Sequence, residues 1–110
     1  MPRPYGSKFL IALEKSKQDR LGIRLARICV KANLPATLVA KALNTSSTTV
    51  YSWFRGQGIR EHRRKAVEVF IDLMEKDFAD GLLPVKDFDA ANDYISEMIG
   101  EELKIGRAHV

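Results

Sequence analysis

The stretch from Ala36 to Gly56, ATLVAKALNTSSTTVYSWFRG, restricts what this chain can fold into more than any other. It reads as two short helices joined by a tight polar turn. Ala40 supplies a small side chain where two helices must approach closely, and Leu43, Val50 and Trp53 supply an apolar wedge between them. Asn44 stands where the chain must reverse, and Asn is one of the few side chains that tolerates the left-handed conformation. Ser46 follows as an N-cap for the second helix. That helix then opens with Ser47, Thr48 and Thr49 at an exposed tip, carries Tyr51, Ser52 and Arg55 on its outer side, and turns Val50 and Trp53 inward. The result is a hydrogen-bonding edge on a rigid apolar backing.

Charge is divided unevenly about this stretch. Residues 1–65 hold 14 Lys and Arg against 3 Asp and Glu, a net of +11, whereas residues 66–110 hold 4 against 11, a net of −7. The basic part contains the two-helix stretch. A basic face stabilises a nearby polyanion, mostly by releasing its condensed counterions. The acidic part is therefore expected to face away from such a partner, as a dimer interface, a solvated back or a surface for another protein.

The flanks extend the helical pattern. Met1 to Gly6, with Pro2, Pro4 and Gly6, reads as an irregular arm, with Arg3 as a frayed cation. Ser7 is placed to cap a short helix with Phe9, Leu10 and Leu13 on one face. Asp19 to Ala32 shows Leu21, Leu25, Ile28 and Ala32 at helical spacing, and Gly22 within it hints at close packing. Asn33 is a helix stop, and Pro35 fits the first turn of the next helix. Cys29 lies on the apolar stripe and reads as a core residue.

Beyond Gly56, Gln57 and Gly58, a long helix is expected from about Ile59 to Ala79. Arg60, His62, Arg63, Arg64 and Lys65 crowd its start, where the exposed N–H groups already make the end positive. Cations there suit an anionic partner, because free N–H groups and guanidinium forks together hold phosphate. Further on, Val67, Phe70, Met74 and Phe78 form one apolar stripe, with Ala66, Val69 and Leu73 beside it. So wide a face exceeds what one small core needs. Part of it is expected to pair with a second copy, through Phe70, Met74, Phe78, Tyr94 and Met98; packing under the C-terminal helix is the competing arrangement. Gly81 ends the helix, and Asp87 can cap a last one from Phe88 to about Leu103, acidic on its outer face, before a tail from Gly106 to Val110.

Several function classes find no support in the pattern. Cys29 is the one cysteine, so no internal disulfide forms, and no apolar run reaches membrane-spanning length; a reducing cytoplasm is the expected compartment. His62 and His109 lack partners at metal or catalytic spacing, and Gly56 and Gly58 are not followed by the Lys-Ser/Thr pair of a phosphate-cradling loop. Asp87, Asp89 and Asp93 lack the mid-loop Gly of a calcium loop. No enzyme, cofactor or metal is expected.

The order Ala40, Leu43, Asn44, Ser46, Val50, Ser52, Trp53, Arg55, Gly56 resembles the helix-turn-helix of lambda-repressor/Cro-like DNA-binding domains, and Leu21, Leu25, Ala26 and Arg27 resemble their preceding helix. The likeness spans roughly residues 18 to 75. Ala36 stands where the family often has a Gln that anchors the first helix to phosphate, and Phe54 stands where a polar residue is usual, which makes it an extra buried or partner-facing aromatic. The resemblance implies an all-α domain of five to six helices that reads double-stranded DNA in the major groove, usually as a homodimer on a two-fold operator. An arm and short helix (1–17), the DNA-binding domain (18–80) and an acidic C-terminal helix and tail (81–110) are the expected parts. Base contacts are expected from Ser47, Thr48, Tyr51, Ser52 and Arg55. Phosphate contacts are expected from Ser46, Lys41, Arg60, Arg63, Arg64 and Lys65, with Lys31 as an outlying candidate. The competing function is a protein-binding adaptor that keeps this fold and acts through its acidic C-terminal half.

Overall fold

Where each helix stops is decided by a few backbone specialists. A computed structural model of the chain describes residues 5–15 and 20–106 as an all-α fold of six helices: α1 (Ser7–Lys15), α2 (Leu21–Ala32), α3 (Ala36–Ala42), α4 (Ser47–Phe54), α5 (Glu61–Ala79) and α6 (Phe88–Gly106). Asn33 and Asn44 take left-handed backbone at φ 65° and 54°, and Gly56 and Gly81 do the same at 95° and 81°. Each stands just past a helix, and its own N–H and that of the following residue fold back onto the last turn. After α3, for example, Asn44 N donates to Lys41 O and Thr45 N to Ala40 O. The same pair of hydrogen bonds closes α2, α4 and α5, which satisfies carbonyls that the helix itself leaves unpaired.

Starts are set with similar economy. Ser46 accepts a hydrogen bond from Thr49 N at 3.1 Å, and Asp87 Oδ1 accepts one from Ala90 N at 2.8 Å. Pro35 differs slightly from expectation. It precedes α3 as the N-cap residue with extended backbone, and its carbonyl receives Leu38 N and Val39 N. Likewise α5 begins at Glu61, two residues later than the pattern suggested, because Arg60 is held extended.

α2 is the hub, packing against α5, α4 and α1, while α3 packs against α4 and α6. Leu25, Ala26, Cys29 and Ala32 of α2 are wholly buried, and meet a core completed by Val39, Val50, Val67, Met74, Ala91 and Ile95. Gly22 marks the tightest approach. A Cβ there would lie 2.2 Å from the carbonyl oxygen of Trp53, a backbone atom that cannot swing aside, so only glycine lets α2 and α4 meet. Burial pushes the Cys29 thiol well above its ordinary range, which suits a core residue rather than a nucleophile.

Two expectations need correction. Tyr5, within the stretch assigned to an irregular arm, is buried. Its hydroxyl donates to Leu34 O at 2.6 Å, and its ring stacks on Phe9 at 5.3 Å and tilts against Phe54 at 6.0 Å. Phe54, 1% exposed, is thus a buried aromatic that ties α1 to the end of α4. The second correction concerns the proposed dimer face. Phe70 and Met74 are buried within the single chain, so they offer a second copy nothing. Phe78 is half-buried with the Lys31 ammonium 4.9 Å above its ring, and Tyr94 donates to Asp77 Oδ2, joining α6 to α5. Met98 is half-buried in a recess it shares with Phe70 and Ile99. The wide apolar face of α5 is covered mainly by α2, whereas α6, the cover expected from the sequence as the alternative, packs chiefly on α3 and meets α5 through the Tyr94–Asp77 bond and around the Met98 recess. Arg3, Asp19, His109 and the tail beyond Gly106 lie outside the described residues.

Among the described residues, no helix is long and apolar enough to cross a membrane, and no group of three or more His, Cys, Asp or Glu could hold a metal ion.

Candidate nucleic-acid interface

α4 is an eight-residue helix supported along one side and open along the other. Val50 is fully buried, Trp53 is 5% exposed and Phe54 1%, so three side chains bolt the helix to the core. On the other side Thr48 and Arg55 are exposed, and Ser47, Tyr51 and Ser52 are half-buried. The expected base-reading residues therefore lie on the side of α4 away from Val50 and Trp53, exposed at Thr48 and Arg55 and partly covered at Ser47, Tyr51 and Ser52.

Local bonds fix what each hydroxyl can offer. Ser52 Oγ donates to Thr48 O at 3.1 Å, so toward a ligand it acts as an acceptor. Ser46 Oγ and Thr49 Oγ1 pair at 2.9 Å while Ser46 also receives Thr49 N, which commits most of the Ser46 hydroxyl to holding the first turn. Tyr51 meets Phe54 edge to face at 6.1 Å. Its half-buried ring thus rests against the aromatic cluster that holds the end of α4.

The cations sort into three groups. Arg55, Arg60, Arg64, Lys65 and Lys41 are exposed. Arg60 precedes α5 as its N-cap residue and makes no side-chain cap bond. Arg64 lines a recess of about 270 Å³ with Arg20, Gln57, Gly58 and Ile59, beside the loop that leaves α4. Arg20 was not singled out from the sequence. Its Nη1 donates to Gly56 O at 2.9 Å, pinning that loop, and no motif or spacing signals a contact spanning 36 residues.

Arg63 forms the second group alone. Its Nη1 donates to Leu43 O at 3.0 Å and to Asn44 O at 3.2 Å. These carbonyls belong to the turn between α3 and α4. Expected as a phosphate contact, Arg63 is instead a brace that ties α5 to that turn, complementing the negative end of α3.

The third group stands on α2. Arg24, Arg27 and Lys31 lie about 140 to 200° round the helix from Gly22, which faces α4. They border a different surface, a groove against α5. Lys31, the outlying phosphate candidate, is thus separated from the α4 side. The chain matches no protein-family model, no curated protein and no solved structure.

Proposed function

We propose that this chain is a sequence-specific DNA-binding regulator of the lambda-repressor/Cro-like kind, laying α4 in the major groove. One observation supports the reading above all: α4 stands on Val50, Trp53 and Phe54 with its hydroxyls on the other side, exposed Arg55 closes it, and exposed Arg64 lines a recess beside the loop that leaves it. A braced helix of this width fits the major groove, where Ser, Thr and Tyr hydroxyls meet base edges and Arg meets guanine or phosphate. Ser47, Thr48, Tyr51, Ser52 and Arg55 are the base-reading set. Arg60, Arg64, Lys65 and Lys41 are the phosphate set, from which Arg63 is withdrawn. A duplex target places the action in the cytoplasm of a bacterial or phage-infected cell, where occupancy of an operator represses transcription.

The test is selection of bound duplexes from a random pool, followed by titration of the winner at two salt concentrations. A recurrent short consensus with affinity falling steeply in salt is expected, and a palindromic one if two copies share an operator. Retention of no duplex at low salt would end the reading.

A further inference from the structure

The groove between α2 and α5 has a composition that DNA binding does not use. It offers about 420 Å³, with Ile28, Ile71 and Phe78 along its floor and Arg24, Arg27 and Lys31 on one rim facing Glu75 on the other. A phosphate backbone has no use for an apolar floor. Cations above apolar surface instead suit a partner that carries carboxylates beside a large hydrophobic side chain.

The chain itself bears that combination. Phe88 opens α6 at 61% exposure, and Leu82 just before it is equally exposed, two of three large apolar side chains so placed among the described residues. Asp89, Asp93 and Glu97 follow at four-residue intervals on the exposed side of α6. Groove and plug also lie at the same end of the molecule. Val85 N donates to Ala32 O and Asn33 Nδ2 to Val85 O at 3.0 Å, which fastens the segment leading into α6 beside the last turn of α2, where Lys31 sits. Complementary features at one end allow each copy to give and receive, the condition for a closed two-fold contact.

We infer that the α2–α5 groove docks the first turns of α6 from a second copy, Phe88 on its apolar floor and Asp89 and Asp93 against Arg24 and Lys31. This surface replaces the one built on Phe70 and Met74. It turns away from α4, so self-association leaves the open side of α4 uncovered and does not depend on DNA. Two copies of one helix edge in one shallow groove still make a small, charge-rimmed interface, so the association is weak and salt-sensitive.

Sedimentation equilibrium of the full chain over a wide concentration range, at low salt and at about 0.5 M NaCl, reads this directly. The dimer is expected at low salt, weakened at least about tenfold by the higher salt, by Arg24→Glu with Lys31→Glu, or by Asp89→Lys with Asp93→Lys. All four positions are exposed, and a cooperative thermal melt of each variant checks that it folds, with a small loss expected for Lys31→Glu from its contact with Phe78. Mixing the two charge-reversed variants should restore association as a heterodimer. A wild-type chain that stays monomeric at the highest concentration overturns the inference, and so does a mixture that fails to pair. Either result leaves duplex binding as a separate question, since the selection experiment above is read at concentrations where the chain is monomeric.

Discussion

The open side of α4 and the groove between α2 and α5 both present exposed cations, yet they are built on opposite plans. Around α4 the apolar side chains are all beneath: Val50, Trp53 and Phe54 are spent holding the helix, and what reaches outward is hydroxyl and guanidinium. Along the groove the apolar side chains lie at the surface, with Ile28 and Phe78 half-buried below Arg24 and Lys31. A summed charge of +11 over residues 1–65 treats the two alike. Their backing separates them, because a fully hydrated polyanion gains from cations alone whereas a protein segment gains from cations and apolar contact together.

The difference in backing has a large energetic test. Phe54→Ala removes a ring packed among Tyr5, Phe9 and Tyr51, and should cost about 3 to 5 kcal/mol in urea unfolding, a large part of what a small domain has. Phe78→Ala removes a half-buried ring and one cation–π contact with Lys31, and should cost well under half as much. Equal losses would mean that the two surfaces are backed alike. Loss of α1 docking should accompany the first change, since the same cluster holds Tyr5.

A smaller effect is expected where a cation serves the fold rather than a partner. Arg63→Ala deletes two bonds to the α3–α4 turn, one part-buried and one exposed, and should destabilise by about 1.5 kcal/mol, the lower end for a charged donor. Arg64→Ala, exposed at the neighbouring position, should stay within about 0.5 kcal/mol of wild type. Ser46→Ala comes next, at about 1 kcal/mol, through the cap it gives to Thr49 N. Melting curves of the three variants side by side rank them, and an Arg64 effect as large as that of Arg63 would dissolve the distinction between brace and contact.

The fold was largely readable where conformation is decided locally. Asn33, Asn44 and Gly81 end helices because left-handed backbone is tolerable to few residues, and Ser46 and Asp87 start them because a short oxygen-bearing side chain reaches the N–H three residues on. Gly22 was legible as close packing for a similar reason. What escaped was set by distance along the chain. The burial of Tyr5 against Leu34, the grip of Arg20 on Gly56 and that of Arg63 on Leu43 each span 20 to 36 residues, and periodicity carries no record of which neighbour arrives. Periodicity showed that α5 is apolar on a wide face. It could not tell α2 from a second copy as the cover, so Phe70 and Met74, buried within the single chain, were assigned to a dimer face. In the candidate site, the inward turn of Val50 and Trp53 followed from spacing, while the withdrawal of Arg63 and the separation of Lys31 needed the tertiary arrangement.

The least disruptive test compares single cations from the two surfaces in duplex binding. Removing one phosphate-neutralising cation lowers the slope of log affinity against log salt by roughly 0.9. Arg64→Ala should show about that change and weaken all duplexes alike, because a phosphate contact is blind to sequence. Lys31→Ala should leave slope and affinity unchanged, since the α2 face carrying Lys31 turns away from α4 and its ammonium sits over the Phe78 ring. Tyr51→Ala supplies the contrast within the α4 side, relaxing the preference at one or two base positions while the slope holds. A Lys31 variant that lowers the slope as much as the Arg64 variant would place the duplex across both surfaces, and the separate roles argued for them would collapse into one continuous basic track.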